Sequence, residues 1–169
     1  MRENLVLLGM MGVGKTTLGR LVAKEQNLEF IDIDSNIEKE NEMSVSEIFN
    51  TKGESLFRKL EEKEVLKSLE KEKCVISLGG GAFINKKVRD KILQNAISIW
   101  LDTDINTLDQ RVKRNKKRPL LSEQNSLTKL KALYLDRKNF YKLADHKISC
   151  DKYSKDEIVK KIIQIYEKY

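Results

Sequence analysis

Gly9-Met10-Met11-Gly12-Val13-Gly14-Lys15-Thr16 has the residue types and the spacing to enclose a chain of phosphates. Glycines let the main chain fold around an anion with no Cβ in the way. The amide groups of such a loop, and the positive end of a helix that follows it, then face the ligand. Lys15 adds a mobile charge for the β and γ phosphates, and the Thr16 hydroxyl can ligate Mg²⁺. The alternative is a glycine-rich turn carrying an exposed lysine.

Other groups could act beside such a loop. Asp32-Ile33-Asp34 reads as two carboxylates on one face of a strand, because strand side chains alternate. One can hold Mg²⁺ through water while the other accepts a proton from a hydroxyl. Equally, Asp34 can cap a helix that opens at Ser35-Asn36-Ile37. Within Leu56-Phe57-Arg58-Lys59-Leu60-Glu61-Glu62, Arg58 reaches Glu61 at i+3 or Glu62 at i+4, and on spacing alone a surface ion pair is the preferred reading. Gly79-Gly80-Gly81 suits close approach of a ligand to the main chain, with a flexible turn as the alternative. From Arg111 to Arg118 six residues in eight are basic, and Pro119-Leu120-Leu121 follows. That stretch is either a solvated charge run or a lid that closes over a triphosphate. Arg137 is a second candidate anion ligand. The single histidine, His146, and the single tryptophan, Trp100, read as structural.

A scaffold must bring these groups to one place. Leu5–Leu8, Phe30–Ile33, Cys74–Leu78, Ala96–Leu101 and the weaker Lys147–Ser149 read as short buried strands. Helices are expected at Thr16–Gln26, Val45–Phe49 and Leu56–Leu69. Further helices are marked by Ile105, Leu108 and Val112 and by Leu127, Leu130, Tyr134 and Tyr141. The last follows a Ser154–Glu157 capping box and buries Ile158, Ile162 and Ile165. Alternating strands and helices imply a parallel sheet covered on both faces. Ligands of such sheets bind beyond the carboxyl ends of the strands. The glycine loop, the two aspartates and the glycine triplet all fall at that edge.

The length of 169 residues predicts one domain, 1–169. No apolar run approaches a membrane span. A strand begins almost at once, which leaves no room for a signal peptide. Two cysteines, Cys74 and Cys150, lie in no metal-type spacing, so a reduced, cytoplasmic protein is expected. The net charge of +7 is spread over helices that also carry glutamates. With no recognition helix, zinc framework or aromatic–basic stripe, nucleic acid is not an expected partner.

Taken together the motifs resemble those of the shikimate kinase family. In order they are Gly9 to Thr16, Asp32 and Asp34, Phe57-Arg58 with Glu61, Gly79 to Gly81, Arg118-Pro119-Leu120-Leu121, and Arg137. The resemblance covers the whole chain. It implies a three-layer α/β sandwich of the P-loop kinase type, with five parallel strands in the order 2-3-1-4-5. It also implies transfer of the ATP γ-phosphoryl group to the 3-hydroxyl of shikimate, with Mg²⁺ as cofactor, by a cytoplasmic monomer. On the family pattern Arg58 and Arg137 bind the shikimate carboxylate and Asp34 contacts its hydroxyls. Gly80 and Gly81 give main-chain contacts, Glu61 belongs to the same pocket, and Phe49 and Phe57 are its apolar walls. Gly12, Val13, Gly14, Lys15, Thr16 and Thr17 surround the phosphates. Thr16 ligates Mg²⁺ directly and Asp32 through water. Arg111 stacks on adenine, and Arg118 is the lid arginine that acts with Lys15 and Asp34 in catalysis. The substrate-binding segment is expected at about 33–61 and the lid at about 112–124. Other small-molecule P-loop kinases, for gluconate or nucleoside monophosphates, are the alternatives, as is a non-catalytic nucleotide- or nucleic-acid-binding module.

Overall fold

Asn4–Leu8 (β1), Glu29–Asp32 (β2), Cys74–Ser77 (β3), Ala96–Asp102 (β4) and His146–Ser149 (β5) form one parallel sheet in the order β2-β3-β1-β4-β5. A computed structural model describes residues 2–114 and 126–169. β1 is buried along its whole length, as a central parallel strand covered on both faces should be. Its register is the key to the site. Leu7 pairs with Ser77 of β3, Leu8 with Trp100 of β4, and Asp32 of β2 with the same Ser77. The chain therefore leaves β1, β2 and β3 at one level, and whatever follows each strand shares an edge.

Eight helices are described: Lys15–Gln26 (α1), Ile33–Asn41 (α2), Val45–Lys52 (α3), Glu54–Leu69 (α4), Lys86–Asn95 (α5), Ile105–Arg114 (α6), Ser126–Tyr141 (α7) and Lys155–Tyr166 (α8). They cover both faces of the sheet as expected. α1 packs on α8, while α4 packs on α2, α3 and α5, and α7 lies against α6. The capping box of α8 is present, with Glu157 N–H donating to Ser154 Oγ at 3.3 Å and Ser154 N–H to Glu157 Oε2 at 2.7 Å. Ile158 and Ile162 are buried as expected, but Val159 joins them and Ile165 is only partly covered. Trp100 is in the core, and both cysteines are buried thiols.

Three local readings change. β2 stops at Asp32 and Ile33 already opens α2, so Asp32 and Asp34 do not share a strand face. A helix cap does exist there, but it is Asp32, whose Oδ1 accepts from Ser35 N–H at 3.1 Å; Asp34 lies in the first turn beyond it. Between the glycine triplet and β4 the chain forms α5, for which no helix was expected. Asn85 caps it by accepting from Lys87 and Val88 N–H, and Val88 and Ile92 anchor it in the core. Of the expected lid, residues 112–114 are the end of α6. The remainder, with Arg118, lies outside the described residues.

Candidate active site

The residue after β1 begins a loop with three glycines at positive φ: Gly9 at 142°, Gly12 at 81° and Gly14 at 104°. Only glycine takes such angles cheaply. At Gly9 a Cβ would also lie 2.3 Å from the Leu101 carbonyl oxygen, so the loop is pressed against the end of β4. Gly14 caps α1, whose first residues, Lys15 and Thr16, therefore stand at the positive end of a helix. Lys15 is largely buried, and its Nζ donates to the carbonyls of Gly9 and Met10 at 2.8 and 3.0 Å. The ammonium is thus held inside the curve of the loop. Val13 is turned into the core, Thr17 is exposed, and Arg111 reaches from α6 to the carbonyls of Gly12 and Val13 at 3.4 Å.

Thr16 Oγ1 donates to Asp32 Oδ2 at 2.6 Å. The register of β1 and β2 with β3 makes that meeting, since both chain ends emerge together. Among the described residues no three His, Cys, Asp or Glu side chains gather into a protein-built metal cage. One hydroxyl and one carboxylate beside a phosphate loop fit Mg²⁺, which keeps several waters and takes one or two carboxylates together with substrate phosphates.

The second half of the site is built on the glycine triplet, and each glycine meets a different charged side chain. A Cβ on Gly79 would lie 2.3 Å from Glu61 Oε1 and 2.8 Å from Asp34 Oδ1. One on Gly80 would lie 2.8 Å from Arg137 Nη1, and one on Gly81 2.6 Å from Arg58 Nη1. The triplet thus has a structural reason beyond ligand approach, because the site's own side chains lie against it. Gly80 also borders the phosphate loop, with Gly9 O and Met11 N at 3.7 and 3.8 Å from its Cβ position.

Of the two acids within reach of Arg58, the fold selects Glu61. Arg58 Nη1 donates to Glu61 Oε2 at 2.7 Å, while Glu62 turns to Asn85 and Lys87. The opposite edge of the guanidinium, Nε and Nη2, bonds the exposed Glu54 at 3.2 and 3.1 Å. Glu61 is buried, its Oε1 has no hydrogen-bond partner among the described residues, and burial pushes its carboxyl upward against the pull of Arg58. Phe57 is buried and Phe49 half-buried. Their rings are 4.7 Å apart, with Arg58 lying 5.3 and 5.9 Å from their centroids. A cleft of about 480 Å³ opens here, lined among others by Arg58, Glu61, Gly81, Leu133 and Arg137.

The glycine contacts yield a first prediction. Gly79→Ala drives a methyl group into Glu61 and Asp34, and Glu61 is held by Arg58, so the acidic corner of the cleft must shift. Affinity for the acceptor substrate should fall at least about tenfold, the cost of roughly one charge-assisted hydrogen bond, with nucleotide affinity unchanged. Titration calorimetry with each ligand separates the two, and equal affinities in variant and wild type would remove the triplet from the site.

One residue, the single histidine, lies at the opposite end of its strand from this edge. His146 begins β5, and its Nε2 lies 3.0 Å from the Tyr169 hydroxyl. The Cys150–Lys152 turn is tied to the end of β4 by the Asp104 N–H, which donates to Asp151 Oδ2 at 2.7 Å. One residue of the site was legible only as a helix marker. Tyr141 donates its hydroxyl to the Gly80 carbonyl, a contact across the fold that no local spacing announces.

A five-stranded 2-3-1-4-5 sheet whose first strand runs into a lysine-bearing glycine loop defines the protein as a P-loop kinase. The profile of the family described as Shikimate kinase matches residues 11–167. The chain belongs to the shikimate kinase family and is an ATP-dependent phosphotransferase with an alcohol acceptor. A shikimate kinase of Sulfurihydrogenibium sp. (strain YO3AOP1) is 39% identical over 161 residues, 95% of this chain and 96% of the relative. Among solved structures, shikimate kinase from Acinetobacter baumannii in complex with shikimate has a TM-score of 0.91 at 33% identity, over 96% of this chain and 92% of that one. A gluconokinase from Sinorhizobium meliloti 1021 has a TM-score of 0.64 at 16% identity over 99% and 93% of the two chains, a likeness of fold alone.

Proposed function

We propose that the chain transfers the γ-phosphoryl group of ATP to the 3-hydroxyl of shikimate, giving shikimate 3-phosphate and ADP. The observation that carries this reading is the convergence of two guanidiniums and two carboxylates on the glycine triplet, directly beside the phosphate loop. Arg58 and Arg137 offer a fork for a carboxylate, the geometry in which arginine binds that group best. A nucleobase pocket would not need paired guanidiniums placed for a carboxylate. Asp34 and Glu61 face the same corner, suited to hydroxyl groups on the ring that the carboxylate anchors.

The residues then divide the work of phosphoryl transfer, which needs alignment and charge neutralisation more than covalent chemistry. Arg58 and Arg137 fix the acceptor by its carboxylate. Arg58 must release Glu54 to do so, and an exposed ion pair of that kind is worth little, about 0–1 kcal/mol. Asp34 orients the 3-hydroxyl and accepts its proton as the hydroxyl oxygen bonds to the γ-phosphorus and the bond to the β–γ bridging oxygen breaks. Lys15 and the loop amides neutralise the phosphates. Arg118 adds positive charge from the segment between α6 and α7, and Arg111 flanks the nucleotide. Mg²⁺, held by the Thr16 hydroxyl and through water by Asp32, would supply further charge neutralisation on the phosphates. We read the protein as acting alone, as a cytoplasmic monomer, with no nucleic acid or membrane partner.

Arg58→Ala and Arg137→Ala test the acceptor. Each removes a charge-assisted hydrogen bond of roughly 1.5–3 kcal/mol, so shikimate affinity should fall about tenfold to a hundredfold while ATP affinity holds. Calorimetry with shikimate, with ATP and with a carboxamide analogue of shikimate reads this directly. Were the analogue to bind wild type as tightly as shikimate, the carboxylate assignment would be wrong.

A further inference from the structure

Tyr141 is the last residue of α7, 1% exposed, with its ring 5.8 Å from that of Trp100 on β4. Its hydroxyl donates to the Gly80 carbonyl, with Met10 Sδ at 3.9 Å as a second neighbour. The rest of the glycine turn is tied down locally: Ala82 N–H bonds the Gly79 carbonyl at 3.2 Å and Ile84 N–H bonds that of Gly81 at 3.1 Å. The Gly80 carbonyl between them is the one taken from across the molecule. Arg137 stands four residues earlier on the same helix, so the two side chains share a face. They grip Gly80 from two sides, the guanidinium against its Cα and the phenol on its carbonyl. Burial holds the phenol's pKa up to about 12, so the hydroxyl remains a donor throughout the neutral range.

We propose that Tyr141 is a positioning residue for the acceptor: by fastening α7 to Gly80 it sets the Arg137 guanidinium and the glycine turn in register with each other and with the phosphate loop. The role rests on the acceptor site described above, because it acts through Arg137. A phenol that merely filled the core would matter to stability alone. One that sets the register of two binding groups must show in the Michaelis constant of the ligand they hold.

The experiment is Tyr141→Phe, which keeps the ring against Trp100 and deletes only the hydroxyl, assayed beside Arg137→Ala and the double variant. The Michaelis constant for shikimate should rise about fivefold, the size of one neutral hydrogen bond, while that for ATP changes less than about twofold. The double variant should be little worse than Arg137→Ala, because groups acting through one contact are not additive. A lowered melting temperature with an unchanged Michaelis constant for shikimate would overturn the role, as would additive effects in the double variant. Wild-type turnover of shikimate in the same run separates a failure of the acceptor assignment from a failure of this one.

Discussion

Lys15→Ala lowers the rate of phosphoryl transfer by about 10²–10³-fold or more, the range seen when one preorganised donor is removed from a developing charge. The fold survives the change. Lys15 is buried, and what it holds is the pair of carbonyls at Gly9 and Met10, main-chain groups of the loop and not of the sheet. A stability loss below about 2 kcal/mol is expected, a melting shift of roughly 4–8 °C at this size. A coupled ADP-release assay and a thermal melt on the same preparation measure both. Retention of more than about a tenth of the wild-type rate would show that the phosphate charge is met elsewhere.

Asp34→Asn is the other large effect. The amide keeps size and most hydrogen bonding but cannot take the hydroxyl proton. General-base contributions run to about 10²–10⁴-fold, and a drop in that range is expected. The fold sharpens the companion expectation about stability. Because Asp32, not Asp34, caps α2, the helix keeps its cap and loses only a first-turn charge, worth about 0.3–1 kcal/mol. Asp34 also pushes the buried Glu61 carboxyl upward, so removing its charge relieves a like-charge contact. The melting temperature should change only modestly while the rate collapses. A variant with near-normal rate and a lower melting temperature would make Asp34 a structural residue.

The sequence announces the strands and the phosphate loop well because each is signalled locally, whereas the sheet order follows only from the resemblance to the family. Apolar runs punctuated by glycine need no tertiary information to be read. Asp32-Ile33-Asp34 misleads because polar-apolar-polar is also the pattern of a strand, and the helix start depends on where β2 stops pairing with Ser77. α5 is missed because its charged residues, Lys86, Lys87, Arg89, Asp90 and Lys91, outweigh two buried apolar ones in any window. For Arg58 the two candidate acids differ only by one position. The choice is made by Asn85 and Lys87, which draw Glu62 away, contacts that exist only once α5 is in place. The resemblance to a family named Arg58, Glu61 and Arg137 as one pocket, and their shared contact with the glycine triplet agrees with that grouping. Tyr141 stayed hidden because its partner lies sixty-one positions away.

The groups that would choose the acceptor and those that would activate the donor occupy different stretches of chain. Asp34, Phe49, Phe57, Arg58 and Glu61 all belong to the excursion of three helices between β2 and β3, whereas the phosphate loop springs from β1. The glycine triplet and Arg137 are the docking points where that excursion meets the frame. Such a layout makes most of the selectivity heritable as a cassette, with Arg137 and the glycine triplet as the share that stays in the frame. An ancestor could exchange or remodel one contiguous insert, acquire a different alcohol to phosphorylate, and leave the energy-handling machinery untouched. The same seam is the natural cut for a chimera in the laboratory.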